Sequence, residues 1–179
     1  LFVGNMLAPQ LSQQAHLGAL LADFSGLTGI EAFTLEAGGA SGGAAIRAGY
    51  MAVASGQVDL ALVVGVEKYS DKVGASVDAA LATSADSDFE AIQGLTPNAQ
   101  AALLMRRYLH EHEVPREAFS GFPLIAHANG VGNPNAMFRK AINVDAYNRA
   151  GLVSDPLNMF DVAPNADGAA ALVLTRPSL

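Results

Sequence analysis

Residues 58–67, VDLALVVGVE, constrain the fold more than any other stretch. Val and Leu fill it almost continuously, which predicts a strand buried on both faces. The segment before it, residues 40–55, has a helical pattern. It is rich in small residues (Ala40, Ala44, Ala45, Ala48, Gly49, Ala52) and stops at Ser55-Gly56. Small side chains let a helix approach its neighbours closely, so this helix is expected to be central and buried. AFTLEA reads as a strand ahead of it, and LFVGNM as a strand already under way where the chain opens. Between them, SQQAHLGALLADFSG carries Leu17, Leu20, Leu21 and Phe24 at helical spacing, with Ser12 near a start and Gly26 at a stop. Strand, helix, strand, helix, strand predicts an α/β layer with a mixed, mostly parallel sheet and right-handed crossovers. Expected strands fall near 1–5, 33–36, 59–66 and 170–174. The last, AAALVLT, follows the turn signal Asn165-Ala166-Asp167-Gly168 and reads as buried.

The regular alternation breaks between these strands. Residues 67–96 are polar, acidic and weakly periodic, which predicts an excursion of loops. NAQAALLMRRYLHEH is a helix, with Thr96 as cap and Pro97 in its first turn. PREAFSGFPLIAHANG is a second helix, started by Pro115. Residues 130–156, rich in Asn, Gly and Pro, are expected to be mostly irregular. The whole chain, 1–179, reads as one domain interrupted by a loop region over 67–156, with no internal repeat.

Composition excludes several function classes. Hydrophobic residues are 51% and charged residues 15% of the chain, a globular balance. No apolar run approaches the ~20 residues of a membrane-spanning helix, so no membrane partner is expected. There is no cysteine, which removes disulfides, thiolate metal sites and a Cys nucleophile. That is compatible with a cytoplasmic location, which is the expectation here. A net charge of −7 argues against nucleic-acid binding. Seven basic residues lie beyond position 96 against three before it, so an anionic ligand is expected nearer the second half. The chain does not open with Met, which suggests a fragment, a processed chain or a trimmed one.

The glycines of LEAGGASGGAAIRAGY do not fit the spacing of a dinucleotide fingerprint, and no Gly-Lys-Ser/Thr follows to make a phosphate loop. Pure packing remains an equal reading of the run. His110 and His112 are two apart on a helix, on different faces, and make a poor metal pair; no metal site is expected. His127 differs, because it leads into an Asn/Gly/Pro loop where a side chain can face a cleft.

EAGGASGGAAIRAGYMAVASGQVDLALVVGVEKYSD resembles the thiolase superfamily, especially its archaeal-type and sterol-carrier-type branch. There the opening reads Glu-Ala-x-Cys-x-Ser-Gly-Gly-Ala, and the strand ends in Val-Gly-x-Glu, matched by Val64 to Glu67. HANGVGNPNAMF, TPNAQAALLMRRYLHEHEVPRE and FDVAPNADGAAALVL resemble further family segments, in order, over nearly all of the chain. The resemblance implies the first half of an enzyme built from two similar halves, without its opening strand and helix. The second half would carry a general-base His, a proton-handling Cys and an Asn or His for the oxyanion.

Within that resemblance the nucleophilic Cys position is Gly39, whether by engineering or by nature. Ser41 is the nearest hydroxyl and is expected to bind substrate rather than to replace the thiol. His127 and Asn133 are the expected catalytic residues of the His-Asn-Pro loop. Arg106, Arg107, Arg139 and Lys140 are candidates for coenzyme A phosphates on charge alone. The implied activity is acyl transfer on acyl-CoA thioesters, by Claisen condensation or thiolysis, within lipid metabolism. Coenzyme A or acyl-CoA is then the substrate and no cofactor is tightly held. A thiolase-like retro-aldol lyase and a non-catalytic CoA-ester-binding half are the alternatives. A homo-oligomer, or a chain supplying the second half, is the expected partner. A sheet edge left open at the first strand adds to that expectation.

Overall fold

The computed structural model describes residues 1–176; the last three positions of the expected 1–179 domain lie outside the described residues. The chain forms two compact units. One comprises residues 1–84 together with 165 onward, and the other residues 85–164.

The first unit is the α/β layer. Its sheet holds β1 (Phe2–Gly4), β2 (Phe33–Leu35), β3 (Leu60–Glu67) and β6 (Gly168–Thr175) in the order β2-β1-β3-β6. β1 pairs in parallel with both β2 and β3, while β6 runs antiparallel to β3 from Leu60↔Thr175 to Glu67↔Gly168. The expected strands are thus present and the sheet is mixed. β1, expected to lie open, is instead the interior strand, and Val3 on it is fully buried. The unpaired edges belong to β2 and β6. β6 corrects the expectation of a buried last strand: all of it but Leu174 is exposed, because it pairs on one side only.

The small-residue helix α3 (Ser41–Ala54) buries one stripe, Ser41, Ala45, Gly49 and Val53, at four-residue spacing. Its other face, including Ile46, Tyr50 and Met51, is exposed, so its burial is one-sided. The helix starts hard against β1. A Cβ on Gly4 would lie 2.5 Å from the Ser41 carbonyl oxygen and 2.8 Å from Gly42 Cα, a distance no side chain survives.

The helix expected over SQQAHLGALLADFSG is present but shorter, α2 (Leu17–Phe24), entered through His16 in a left-handed conformation, and an unexpected turn of helix, α1 (Ala8–Leu11), precedes it. The excursion after β3 is not only loop. It forms α4 (Gly74–Leu81), whose Val77 and Ala80 join Met6, Leu7 and Leu11 in a buried cluster. The Val-Gly-x-Glu strand end has a structural task. Glu67 Oε1 accepts from the backbone N–H groups of Met6 (2.5 Å) and Leu7 (3.2 Å), just ahead of α1. Asp167, at the same end of the sheet, accepts from Tyr69 N (2.7 Å) and Ser70 N (2.9 Å), and from the Ser70 hydroxyl.

The second unit is mostly helical. α5 (Pro97–Glu111) begins as expected, with the Thr96 hydroxyl accepting from Ala99 N at 3.2 Å. The segment after Pro115 is a 3-10 turn (Arg116–Ser120) followed by α6 (Gly121–Val131). Residues 132–143 are irregular, but the rest of the supposedly irregular stretch is not. It holds α7 (Val144–Arg149), capped by Asn143, and a two-stranded ribbon of β4 (Leu152–Ser154) and β5 (Leu157–Asn158).

Candidate functional site

In the first unit the glycine run makes a tight turn into α3. Gly38 takes a φ of +56°, and Ala40 precedes the helix as its cap. Ser41 is buried and its hydroxyl is committed to this turn. It accepts from Ala37 N at 2.9 Å and donates to the Gly38 carbonyl at 2.7 Å. With its proton already given to a carbonyl and no base beside it, Ser41 has no hydrogen left for a ligand. It is a brace for the turn.

Gly39 is different. A Cβ built on it meets nothing within 4 Å, and its φ lies outside the left-handed range. A side chain therefore fits there without strain. A helix leaves its first N–H groups without intrahelical partners. Here Ser41 N is satisfied by Gly38 and Ala44 N by Ala40. Among the described residues no acceptor meets the N–H groups of Gly42 and Gly43. The turn thus offers free amide donors, at the positive end of a fourteen-residue helix, beside an empty side-chain position.

In the second unit His127, on α6, lines an apolar cavity of about 760 Å³. Its ring stacks near-parallel on Phe138, centroids 6.1 Å apart, and meets the edge of Phe160 at 5.4 Å. Nδ1 lies 3.1 Å from the Lys140 carbonyl oxygen. A carbonyl can only accept, so Nδ1 carries a proton and donates, and the tautomer this selects leaves the lone pair on Nε2. Phe138 can sit this close because residue 130 on α6 is glycine; a Cβ there would meet the Phe138 carbonyl at 2.8 Å.

Phe160 and Asp161, which line the cavity, are tied into a polar knot. Asn158, fully buried, donates from Nδ2 to the Tyr147 carbonyl (2.9 Å) and accepts at Oδ1 from Phe160 N (2.8 Å). Asp161 accepts from the Tyr147 hydroxyl (3.0 Å) and from Asn158 N (2.8 Å). Burial, and then the hydrogen bond to Asp161, push the Tyr147 phenol up to about 12. The Arg116 guanidinium lies over the Tyr147 ring, 5.3 Å from its centre.

The other expected residues do not converge on this cavity. Asn133 is exposed, and its Oδ1 accepts from Asn135 N at 3.0 Å in a local turn. Arg106 pairs with Asp155, and Arg107 with Glu111 at 2.8 Å, both on the surface. Arg139 reaches the Pro134 carbonyl at 3.4 Å, and Lys140 contributes its carbonyl to His127. Sequence reasoning missed Tyr147, Asn158, Phe160 and Asp161. The one local signal was the Asn-x-x-Asp spacing at 158–161, which suits a side-chain-capped turn. No cluster of metal-ligating side chains occurs among the described residues.

The family description "Thiolase, N-terminal domain" matches residues 1–178, and the chain belongs to that family. It is 41% identical, over 97% of its length, to an acetyl-CoA acetyltransferase of Methanothermobacter thermautotrophicus, of which it covers 45%. It is 29% identical, over 77% of its length, to the 17-hydroxy-3-oxo-4-pregnene-20-carboxyl-CoA lyase of Mycobacterium tuberculosis, covering 38% of that protein. Among solved structures, the Ltp2-ChsH2(DUF35) aldolase shares the fold. It superposes with a TM-score of 0.77 at 21% identity, over 99% of this chain and 44% of that one. The chain therefore spans less than half the length of the relatives it matches.

Proposed function

We propose that the protein to which this chain belongs is a thiolase-type acyltransferase acting on acyl-CoA thioesters, and that this chain makes no covalent acyl-enzyme. The turn at Gly39 carries the reading. It pairs free amide donors with an unobstructed side-chain position, which suits a thioester carbonyl whose oxygen gains negative charge. A thiolate at position 39 would be stabilised by the same helix start. Glycine keeps the donors and removes the nucleophile, and the acetyltransferase relatives support an acyl-CoA substrate. Proton transfer would fall to a second thiolase-type half, on this protein or a partner. His127 and Asn133 are proposed as site residues, and Arg106, Arg107, Arg139 and Lys140 as phosphate contacts after exchanging their present partners.

The empty position also favours a second reading. Retro-aldol cleavage of a CoA ester needs no acyl-enzyme, and the relatives include a CoA-ester lyase and a steroid side-chain-cleaving aldolase. Intact-mass spectrometry of the full protein with acetyl-CoA decides between them. The unmodified protein is expected to show no acetyl adduct, and Gly39→Cys to gain one. An adduct on Ser41 of the unmodified protein would overturn the loss of the nucleophile. Failure of Gly39→Cys to acylate would favour the lyase.

A further inference from the structure

The cavity at His127 has a chemistry of its own. Its walls are Phe119, Phe122, Phe138, Phe160, Met105 and Met159, and its volume far exceeds what an acetyl group fills. Pockets of this size and lining enclose ligands with an apolar body, and their few polar groups set orientation. Here the ring of His127 is one such group, and its contact with Lys140 shows which nitrogen is engaged. Nδ1–H is held by the Lys140 carbonyl, while Nε2 has no partner among the described residues. In the tautomer that this contact selects, Nε2 is an acceptor and not a donor. A ketone or ether oxygen would meet lone pair against lone pair; a hydroxyl would donate and be satisfied.

We propose that this cavity binds a bulky apolar skeleton bearing a hydroxyl group, with that hydroxyl donating to His127 Nε2. The identification of the skeleton as part of an acyl-CoA substrate rests on the function proposed above; the cavity's preference for an alcohol does not. Asn158 acts here as a positioning residue. By holding Phe160 N and the Tyr147 carbonyl, it fixes the aromatic edge against which the imidazole stands.

The test uses the full protein and two probes of equal size without coenzyme A, cyclododecanol and cyclododecanone. Calorimetry should give the alcohol at least tenfold tighter binding than the ketone. His127→Phe keeps an aromatic ring between Phe138 and Phe160, and should still bind both probes while losing the discrimination. In the unsubstituted protein, the ¹⁵N resonance of His127 Nε2 should move with the alcohol and not with the ketone, a readout that survives if the variant fails to fold. Equal affinities, discrimination that persists in His127→Phe, an unmoved Nε2 resonance, or no binding of either probe would each overturn the proposal. Because neither probe carries coenzyme A, these outcomes are separate from the acetyl-CoA experiment on Gly39.

Discussion

The turn at Gly39 and the cavity at His127 are built by opposite means. The turn is made of backbone: amide groups, a helix start and a close approach through Gly4. The cavity is made of side chains, with aromatic walls, an oriented imidazole and an Asn–Tyr–Asp knot tied to its lining. A backbone site keeps its shape when its reactive side chain is lost. A side-chain site changes with each residue that lines or braces it. The first kind preserves geometry without chemistry, and the second ties chemistry to packing.

Gly39→Cys should have the largest effect, since it adds a group to a shape already present. It is expected to change the acetyl adduct from none to readily detected, with little change in stability because the new Cβ meets nothing within 4 Å. A large loss of stability would show that the turn is not open as described. The matching change in the cavity is Asn158→Ala. It leaves a buried carbonyl and a part-buried N–H unpaired, at about 2 kcal/mol. Chemical denaturation should register that loss, and amide exchange should locate it in residues 85–164. A loss below ~0.5 kcal/mol would break the contrast, since it would mean the side-chain knot is dispensable.

How much was legible in the sequence follows the same division. The strands of the first unit announce themselves through apolar runs, and α3 through its small residues. Thr96-Pro97 marks the start of α5 by chemistry that acts within one turn. α4 was hidden because only Val77 and Ala80 of its residues are buried, too few to set a period in an acidic stretch. α7 is six residues long, shorter than a pattern needs, and its importance lies in Tyr147, whose partners stand 11 and 14 positions away. The role proposed for Gly39 came from resemblance, and only the structure shows the open space beside it. Ser41 and Asn133 were chosen by residue type and resemblance; only the structure shows that the Ser41 hydroxyl and Asn133 Oδ1 each also brace a local turn.

The two units should also answer pH in opposite directions. Hydrogen bonds from the Ser70 hydroxyl, then from the Ser70 and Tyr69 amides, hold the Asp167 carboxyl below the ordinary carboxylate range. A depressed carboxylate stabilises the fold above its ordinary pKa, and that contribution is lost as pH falls through its folded value. The Tyr147 phenol is raised to about 12. Its contribution is complete below the ordinary phenol pKa of ~10 and disappears as pH climbs towards 12. Exchange protection at Tyr69 and Ser70 should weaken in acid, and Asp167→Asn should reduce that dependence. Protection around Asn158 should weaken in alkali, and Tyr147→Phe should remove this group's share. If both regions lost protection at the same end of the pH scale, the contrast would collapse.

The smallest effect expected is at Thr96. Its hydroxyl accepts from Ala99 N, satisfying one of the donors that the start of α5 leaves open. Thr96→Ala removes that acceptor without emptying any part of the core, and water can reach the freed amide at this half-buried position. The cost should be about 1 kcal/mol, the usual value for losing such a cap. Thr96→Ser restores the oxygen at the same place and should recover most of it. Denaturant midpoints of the two variants measure this directly. Equal losses for Ala and Ser would assign the effect to the missing methyl group rather than the hydrogen bond. α5 would then belong, with the aromatic cavity, to the part of the molecule held by side-chain packing.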